Sequence, residues 1–372
     1  MTDLDLSKLP VVLLADGRVL VAPSNRQVAG CVGLQVEPEH DEYDVIVIGG
    51  GPAGLASAVY GASEGLRTLL VEREACGGQA GTSSRIENYL GFPAGLSGDE
   101  LSGRARQQAT RFGAELLVTR WTDSLDLACE SGESSHVVTL DGGNVVSTRA
   151  LVLATGVQWR RLDIPGIDRF VGHGVFYGAA LTEAISCADQ DVYMVGGANS
   201  AGQAALYFAQ RSRSVTMLVR RGSLHESMSS YLVTQIEAAP NIRVRTGTTV
   251  VEAHGTDHLE GLTLLDAATG DKELVDTQWL FIFIGAAPRT DWLDESVMRD
   301  DYGFVLTGPD LLVDGQRPAG WTLDRDPYHL ETSIPGVFVA GDVRSTSVKR
   351  VASAVGEGAL AVTLVHQYLE RL

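Results

Sequence analysis

Cysteine is scarce in this chain, and the four present (Cys31, Cys76, Cys129 and Cys187) stand far apart with no Cys-x-x-Cys among them. No metal cluster and no redox dithiol can be read from such spacing. Positive charge is short as well: 29 Lys and Arg face 47 Asp and Glu, a net charge of −18. That balance argues against nucleic acid and against anionic membrane surfaces as partners, while leaving room for a small anion at local basic residues. Long apolar runs are missing. Met1–Pro10 is charged and lacks the apolar core of a secretory leader. The uncharged stretch Val45–Ala62 is broken by glycines and by Pro52, unlike a membrane span. A cytoplasmic protein is expected, with no metal. What the 372 residues do have is glycine, 42 in all, and 44% hydrophobic residues, enough for two or three domains.

The glycines are unevenly placed. Val45–Ile48 is a run of four β-branched residues, followed at once by Gly49, Gly50, Gly51, Pro52, Ala53 and Gly54. The pattern predicts a buried parallel strand turning sharply into a helix from about Ala53 to Glu64. In that setting Gly-x-Gly-x-x-Gly marks a dinucleotide site. Gly49 serves the tight turn, Gly51 the approach of a pyrophosphate, and Gly54 the packing of helix on strand. Free amides at the helix start hold the phosphates. A second apolar strand, Thr68–Val71, ends at Glu72, whose carboxylate suits a ribose 2′-hydroxyl. This half is expected to bind an unphosphorylated adenosine such as that of FAD.

Residues 1–42 read as an appendage. A strand Pro10–Leu14, a turn at Asp16-Gly17, a return strand Arg18–Val21 and a short helix capped by Ser24 or Asn25 and reaching Gly33 follow one another. That order is similar to the last third of a thioredoxin-like fold, and Glu37–Glu42 reads as an acidic linker. Beyond Glu72, the segment Cys76–Pro93 has no periodicity, and long irregular segments inside α/β domains are usually functional. A helix over Leu101–Phe112, ended by Gly113, precedes strands at Ala114–Val118, Ser135–Leu140 and Val145–Ala154, the last running into Thr155 and Gly156. A second strand–turn–helix unit begins at Asp191–Val195. Its turn is Gly196, Gly197, Ala198, Asn199, Ser200 and Ala201, with a helix to Arg211. Ala198 stands where the middle glycine belongs. The next strand, Ser214–Val219, ends at Arg220 and Arg221 in place of an acid. Guanidinium groups suit a 2′-phosphate, so NADPH is expected there ahead of NADH. Strands near Ile242–Val244, Leu262–Leu265 and Trp279–Ile284 follow, then Val337–Ala340 leading to Gly341 and Asp342, and a helix over Val351–Leu369.

Together these landmarks resemble the low-molecular-weight thioredoxin reductase family of flavoproteins over about residues 43–372. Six motifs occur in the family's order: Gly49–Gly54, Gly77-Gly78-Gln79, Ala154-Thr155-Gly156, Gly196–Ala201 with Arg220-Arg221, Gly285-x-x-Pro288-x-Thr290, and Gly341-Asp342. The resemblance implies that Gly78, Gln79 and Asn88 lie near a flavin and that Asp342 holds its ribityl chain. It places Lys349, Arg350 and Val351 at the pyrimidine end, where a helix N-terminus favours negative charge. It pairs His225 with Arg220 and Arg221 as an arginine triplet with one member replaced, and it implies a homodimer. One departure stands out. Gly174-Val175-Phe176-Tyr177 precedes the place where the family carries Cys-x-x-Cys, and here Gly178 and Leu181 occupy the cysteine positions. Passing electrons to a disulfide partner needs a dithiol relay. Cys76 and Tyr177 remain as flavin-proximal candidates beside Gly178 and Leu181.

The expectation is therefore an α/β chain with two Rossmann-like domains: a discontinuous FAD domain (43–163 and 289–372), an NAD(P)H domain inserted at 164–288, and the appendage 1–42. The expected activity is hydride transfer from NADPH to FAD and on to an unidentified small-molecule or protein acceptor, without an internal disulfide. Three alternatives stay open. One is a ferredoxin or flavodoxin reductase using the charges of Arg344–Arg350, another a substrate oxidase. The third is a non-catalytic FAD-binding sensor, which Ala198 favours.

Overall fold

The structure is a computed structural model that describes residues 10–83, 86, 88–127, 135–178 and 186–372. Leu181 and Cys129 lie outside the described residues. The chain forms two compact units, Met1–Gln158 with Ala287–Leu372, and Trp159–Ala286.

The first unit begins with the hairpin β1 (Val11–Leu13) and β2 (Val19–Val21), followed by α1 (Asn25–Cys31). Ser24 caps α1 in a capping box with Gln27. The central sheet then starts with β3 (Glu42–Ile48), which turns into α2 (Pro52–Ser63), and continues with β4 (Thr68–Glu72), the short helix α3 (Gly78–Gly81), α4 (Gly98–Phe112) and β5 (Glu115–Val118). A hairpin of β6 (Thr122–Asp126) and β7 (His136–Leu140) leads to the long strand β8 (Val145–Leu153). Strand order is β5-β4-β3-β8-β7-β6, parallel from β5 through β8. The edge of β8 is shared: its first residues pair antiparallel with β7, and Leu151–Leu153 pair parallel with β19 (Val337–Val339). The uninterrupted apolar run of β3 follows from burial on both faces. Val45 and Val47 pack under α2 and α7 (Val351–Leu369), while Ile46 and Ile48 face Leu293, Val297 and Val305 on the other side.

The acidic stretch read as a linker is bound in place. Glu37 pairs with Arg26 and with Arg120, whose side chain is fully buried. Arg120 also donates to Val36 O, to Asp141 Oδ1 at 2.6 Å and to Asn144 Oδ1 at 2.9 Å. Glu115 accepts from Tyr43 Oη and from Gln35 Nε2.

The chain leaves this unit through β9 (Val157–Trp159) and returns through β18 (Ala286–Pro288). The second unit holds a five-stranded parallel sheet in the order β10-β17-β11-β12-β13. Its strands are β10 (Val175–Tyr177), β11 (Asp191–Val195), β12 (Ser214–Val219), β13 (Ile242–Thr246) and β17 (Trp279–Ile282). Helices α5 (Asn199–Ala209) and α6 (Ser230–Ala238) cover one face, and β14 (Thr248–Gly255), β15 (Leu259–Asp266) and β16 (Lys272–Asp276) form an antiparallel sheet of their own.

Candidate functional site

In the first unit, four stretches converge at the carboxyl end of the parallel strands. Gly49 leaves β3 with φ +108°, and a Cβ on it would lie 2.4 Å from Ala154 O at the end of β8. A Cβ on Gly54 would lie 1.8 Å from Gly49 O, so neither position admits a side chain without moving the backbone. The loop after β4 closes on this turn: Gly77 N donates to Gly50 O at 2.7 Å, and Gly78 lies against Gly51. Gly341, at the end of β19, packs on Ala53. Thr155 Oγ1 donates to Arg289 O, and Arg289 N to Gly156 O.

The helix starts here differ from those elsewhere in the unit. Ser24 and Ser97 cap α1 and α4 with their side chains. Helix α2 begins after Gly51 with Pro52 in its first turn and no side-chain cap, and α7 begins after Arg350 with none. The first amides of a helix need acceptors, and an anion is a natural one. Around Gly51 the nearest atom to an added Cβ is Gly78 Cα at 4.0 Å, so the backbone there is open to close approach. Glu72 sits beside this turn, with Oε2 accepting from Gly50 N at 2.6 Å and Oε1 from Glu74 N at 2.8 Å. A carboxylate has about four acceptor sites, so two remain for hydroxyl groups. An open glycine turn, uncapped amides and a carboxylate with spare lone pairs fit a dinucleotide.

Asp342 is half-buried, and burial pushes its carboxyl above the ordinary value, with Glu357 adding to the rise against Lys349. Lys349 Nζ donates to Asp342 O at 2.9 Å and lies 4.4 Å from the Phe304 ring centroid. Arg344 is nearly buried and pairs with Glu357 at 2.6 Å. Two of the three positive charges of Arg344–Arg350, a candidate patch for an acidic carrier, are therefore engaged internally. Gln79 and Asn88 are exposed. Cys76 directly precedes Gly77 in the loop that closes on the Gly49–Gly54 turn. It lines a cavity of about 500 Å³ with Val28, Val32, Arg106 and Val118. Burial and the neighbouring Glu72 push its pKa up to about 11, so it is a neutral thiol at physiological pH.

In the second unit, the turn Gly196–Ala201 joins β11 to α5. Ala198 is the N-cap of α5, exposed and in extended conformation, with no side-chain cap. Asn199 and Ser200 are exposed in the first turn, and Ala201 is fully buried. The loop after β12 braces this turn. Ser227 Oγ donates to Gly197 O at 2.9 Å, and Ser229 N donates to Asn199 Oδ1 at 2.8 Å. The same loop carries Arg220, Arg221 and His225, all exposed. Arg221 Nη1 donates to Glu226 O, and His225 N to Ser223 Oγ. A helix start with no side-chain cap and two exposed guanidinium groups thus share one loop system. Gly285 follows β17 and accepts from Arg160 N at 3.0 Å. At the end of β10, Tyr177 Oη accepts from Leu162 N at 3.1 Å, and Gly178 has φ +83° with its Cα facing the Trp159 ring.

Parallel strands that pass through glycines into a helix with no side-chain cap, once in each unit, define a two-domain Rossmann-type architecture. The chain belongs to the family of pyridine nucleotide-disulphide oxidoreductases, which it matches over residues 43–358. It is 31% identical over 337 residues to thioredoxin reductase of Bacillus subtilis (strain 168), covering 90% of this chain and 97% of that one. To thioredoxin reductase of Mycolicibacterium smegmatis it is 33% identical over 319 residues, covering 86% and 94%. It is 29% identical over 333 residues to an alkyl hydroperoxide reductase protein of Staphylococcus epidermidis, covering 90% of this chain but only 60% of that longer protein. Thioredoxin reductase from Streptococcus pyogenes MGAS5005 has a similar structure, with a TM-score of 0.73 at 28% identity over 89% of this chain and 99% of that one.

Proposed function

We propose that this chain is an FAD-dependent NADPH oxidoreductase that delivers electrons to an acceptor outside itself, a small molecule or a carrier protein, with no dithiol of its own. The observation that carries this reading is the opposite chemistry of the two turns. Beside the first stands the carboxylate of Glu72; beside the second stand the exposed guanidinium groups of Arg220 and Arg221. An acid accepts from ribose hydroxyls and rejects a 2′-phosphate, whereas forked guanidinium groups bind that phosphate.

In this reading the amides at the start of α2 and the backbone of Gly49–Gly54 hold the diphosphate of FAD, with Gly78, Gln79, Asn88 and Ala154–Gly156 around it. Asp342 takes the ribityl hydroxyls. Lys349, Arg350 and Val351 lie at the pyrimidine end, where the N-terminus of α7 favours negative charge. The chemistry supplied there is hydride acceptance and onward electron transfer. The turn Gly196–Ala201 with Gly285 holds the NADPH diphosphate, and Arg220, Arg221 and His225 pair with its 2′-phosphate. Gly178 supports the absence of a dithiol: its left-handed backbone strains any side chain, cysteine included. Thioredoxin, named in the relatives, is therefore not expected to be reduced by a Cys-x-x-Cys in this chain. A homodimer and a cytoplasmic setting complete the reading.

Anaerobic stopped-flow mixing of the FAD-loaded protein with NADPH and with NADH tests it. Fast bleaching of the flavin by NADPH, slower by NADH, is the expected result. No bleaching with either nucleotide refutes the proposal, leaving a flavin-binding module or an oxidase that draws electrons from its own substrate.

A further inference from the structure

Glu357 lies in α7, between Gly356 and Gly358, in no motif that the sequence singled out. Its carboxylate is 15% exposed and divided between two partners. Oε2 accepts from Gly341 N at 2.7 Å, and Oε1 accepts from Arg344 Nη2 at 2.6 Å, with Ser347 Oγ at 3.5 Å. Both partners belong to the turn that carries Asp342. The amide bonded to Oε2 precedes Asp342 by one residue, and the guanidinium on Oε1 follows it by two.

The helix is placed to do this. Gly358 presses on the first turn of α2 so closely that a Cβ on it would lie 2.2 Å from Ala53 O, and Ser57 Oγ donates to Gly358 O at 3.0 Å. With Gly358 fixed on α2, the next side chain back points about 100° around the helix, which brings Glu357 onto the 341–347 turn. The carboxylate therefore ties α7, which Gly358 seats on α2, to the end of β19, and α2 and β19 carry the diphosphate seat and Asp342. Arg344 is 9% exposed, so its charge depends on Glu357 for compensation.

We propose that Glu357 is a positioning residue for the flavin: it fixes the Gly341–Ser347 turn so that Asp342 meets the ribityl chain, and it neutralises Arg344 beside that site. The inference rests on the flavin reading above. Removing the carboxylate frees the Gly341 amide and leaves a near-buried positive charge uncompensated. The first effect loosens the seat. The second favours the reduced, more negative flavin, so the midpoint potential must rise.

The test is titration of apoprotein with FAD, followed by flavin fluorescence, together with the midpoint potential of the loaded protein, for wild type, Glu357→Ala, Glu357→Gln and the double variant Arg344→Gln/Glu357→Gln. Glu357→Ala is expected to weaken FAD binding about tenfold or more, the loss of one charge-assisted contact (~1.4 kcal/mol), and to raise the potential. Glu357→Gln keeps an acceptor for the Gly341 amide, so it shifts the potential upward with a smaller change in affinity. The double variant removes both charges and restores the potential toward wild type, which a purely structural anchor would not do. Should Glu357→Ala fail to fold, Glu357→Gln and the double variant still decide the matter. Wild-type affinity and potential in all the variants overturn the inference and leave the flavin reading standing. Failure of the wild-type protein to take up FAD overturns both.

Discussion

Replacing Arg120 by alanine unlocks the N-terminal segment from the first unit. The guanidinium is fully buried and meets Asp141, which is 9% exposed, at 2.6 Å, with further bonds to Asn144 and to the backbone of Val36. Truncation leaves the Asp141 carboxylate, among the described residues, with only Arg26 at 3.7 Å as a cationic partner and strips the Val36 carbonyl of its Arg120 donor. Breaking a buried pair on one side costs about 3–5 kcal/mol, because the remaining charge stays desolvated. At about 2–4 °C per kcal/mol for a unit of this size, melting falls by roughly 6–20 °C. Urea denaturation followed by circular dichroism measures the loss. Trypsin or Glu-C cleavage within 10–42 should become faster in the variant at urea concentrations where the rest of the unit holds. Arg104→Ala is the internal control. Its pair with Glu100 is exposed on both sides, and its loss costs about 0.5 kcal/mol or less. A loss below about 1 kcal/mol for Arg120→Ala, comparable with the control, refutes the account.

Three further outcomes follow from the same structure. His136 is fully buried, and burial pushes its pKa down to about 4, against a weaker opposing pull from the Pro335 backbone. Between about pH 6.5 and 4 the unfolded chain takes up a proton that the folded chain refuses. Stability is therefore complete above pH 6.5 and falls by up to about 3 kcal/mol toward pH 4; His136→Phe should flatten that limb in pH-dependent denaturation. Arg220→Ala and Arg221→Ala should each raise KM for NADPH roughly tenfold or more, the worth of one charge-assisted contact, while leaving KM for NADH nearly unchanged. Equal effects on both nucleotides would remove the 2′-phosphate role. Gly178→Ala should lower stability by about 1 kcal/mol, since φ +83° strains any Cβ while the space beside Trp159 accepts one at 3.6 Å. An unchanged melting temperature would show that the backbone there relaxes freely.

The parts of the fold fixed by local rules were legible in the sequence. Asp191–Val195, Ser214–Val219 and Val351–Leu369 occupy in the structure the bounds that their apolar patterns and flanking glycines and arginines predict. The Ser24 cap was legible for the same reason, since a cap is a contact three residues long. Elements whose reason for existing lies elsewhere were not. Strand β16 is mostly exposed and carries no apolar pattern that would single it out; its pairing with β15 makes it a strand. Helix α6 is short and rich in β-branched and polar residues, and burial of Leu232, Val233 and Ile236 holds it. The roles of Arg120 and Glu357 were hidden because each is defined by partners from other segments. Arg120 meets Val36 across 84 positions, and Glu357 meets Gly341 across 16. For Glu357 a faint signal existed, a lone acid between two glycines in a helix whose first three turns are otherwise small and apolar residues.

The shared edge of β8 has a consequence for how the chain is made. On the edge turned away from β3, Leu151–Leu153 pair with Val337–Val339, and between these two strands in the chain lies the whole second unit. During synthesis from the N-terminus the inserted unit can close its own sheet first, while the first unit still carries an open edge and an uncovered α2. Residues Ala53, Leu55 and Ala58, which later pack under α7, are exposed during that interval. The glycine turn is complete in sequence by Gly54, but the Gly341–Asp342 turn that packs on Ala53 arrives only with β19. Stalled or truncated chains ending before Val337 should therefore retain a folded second unit while exposing apolar surface on the first, making this interval the point of greatest demand for chaperones.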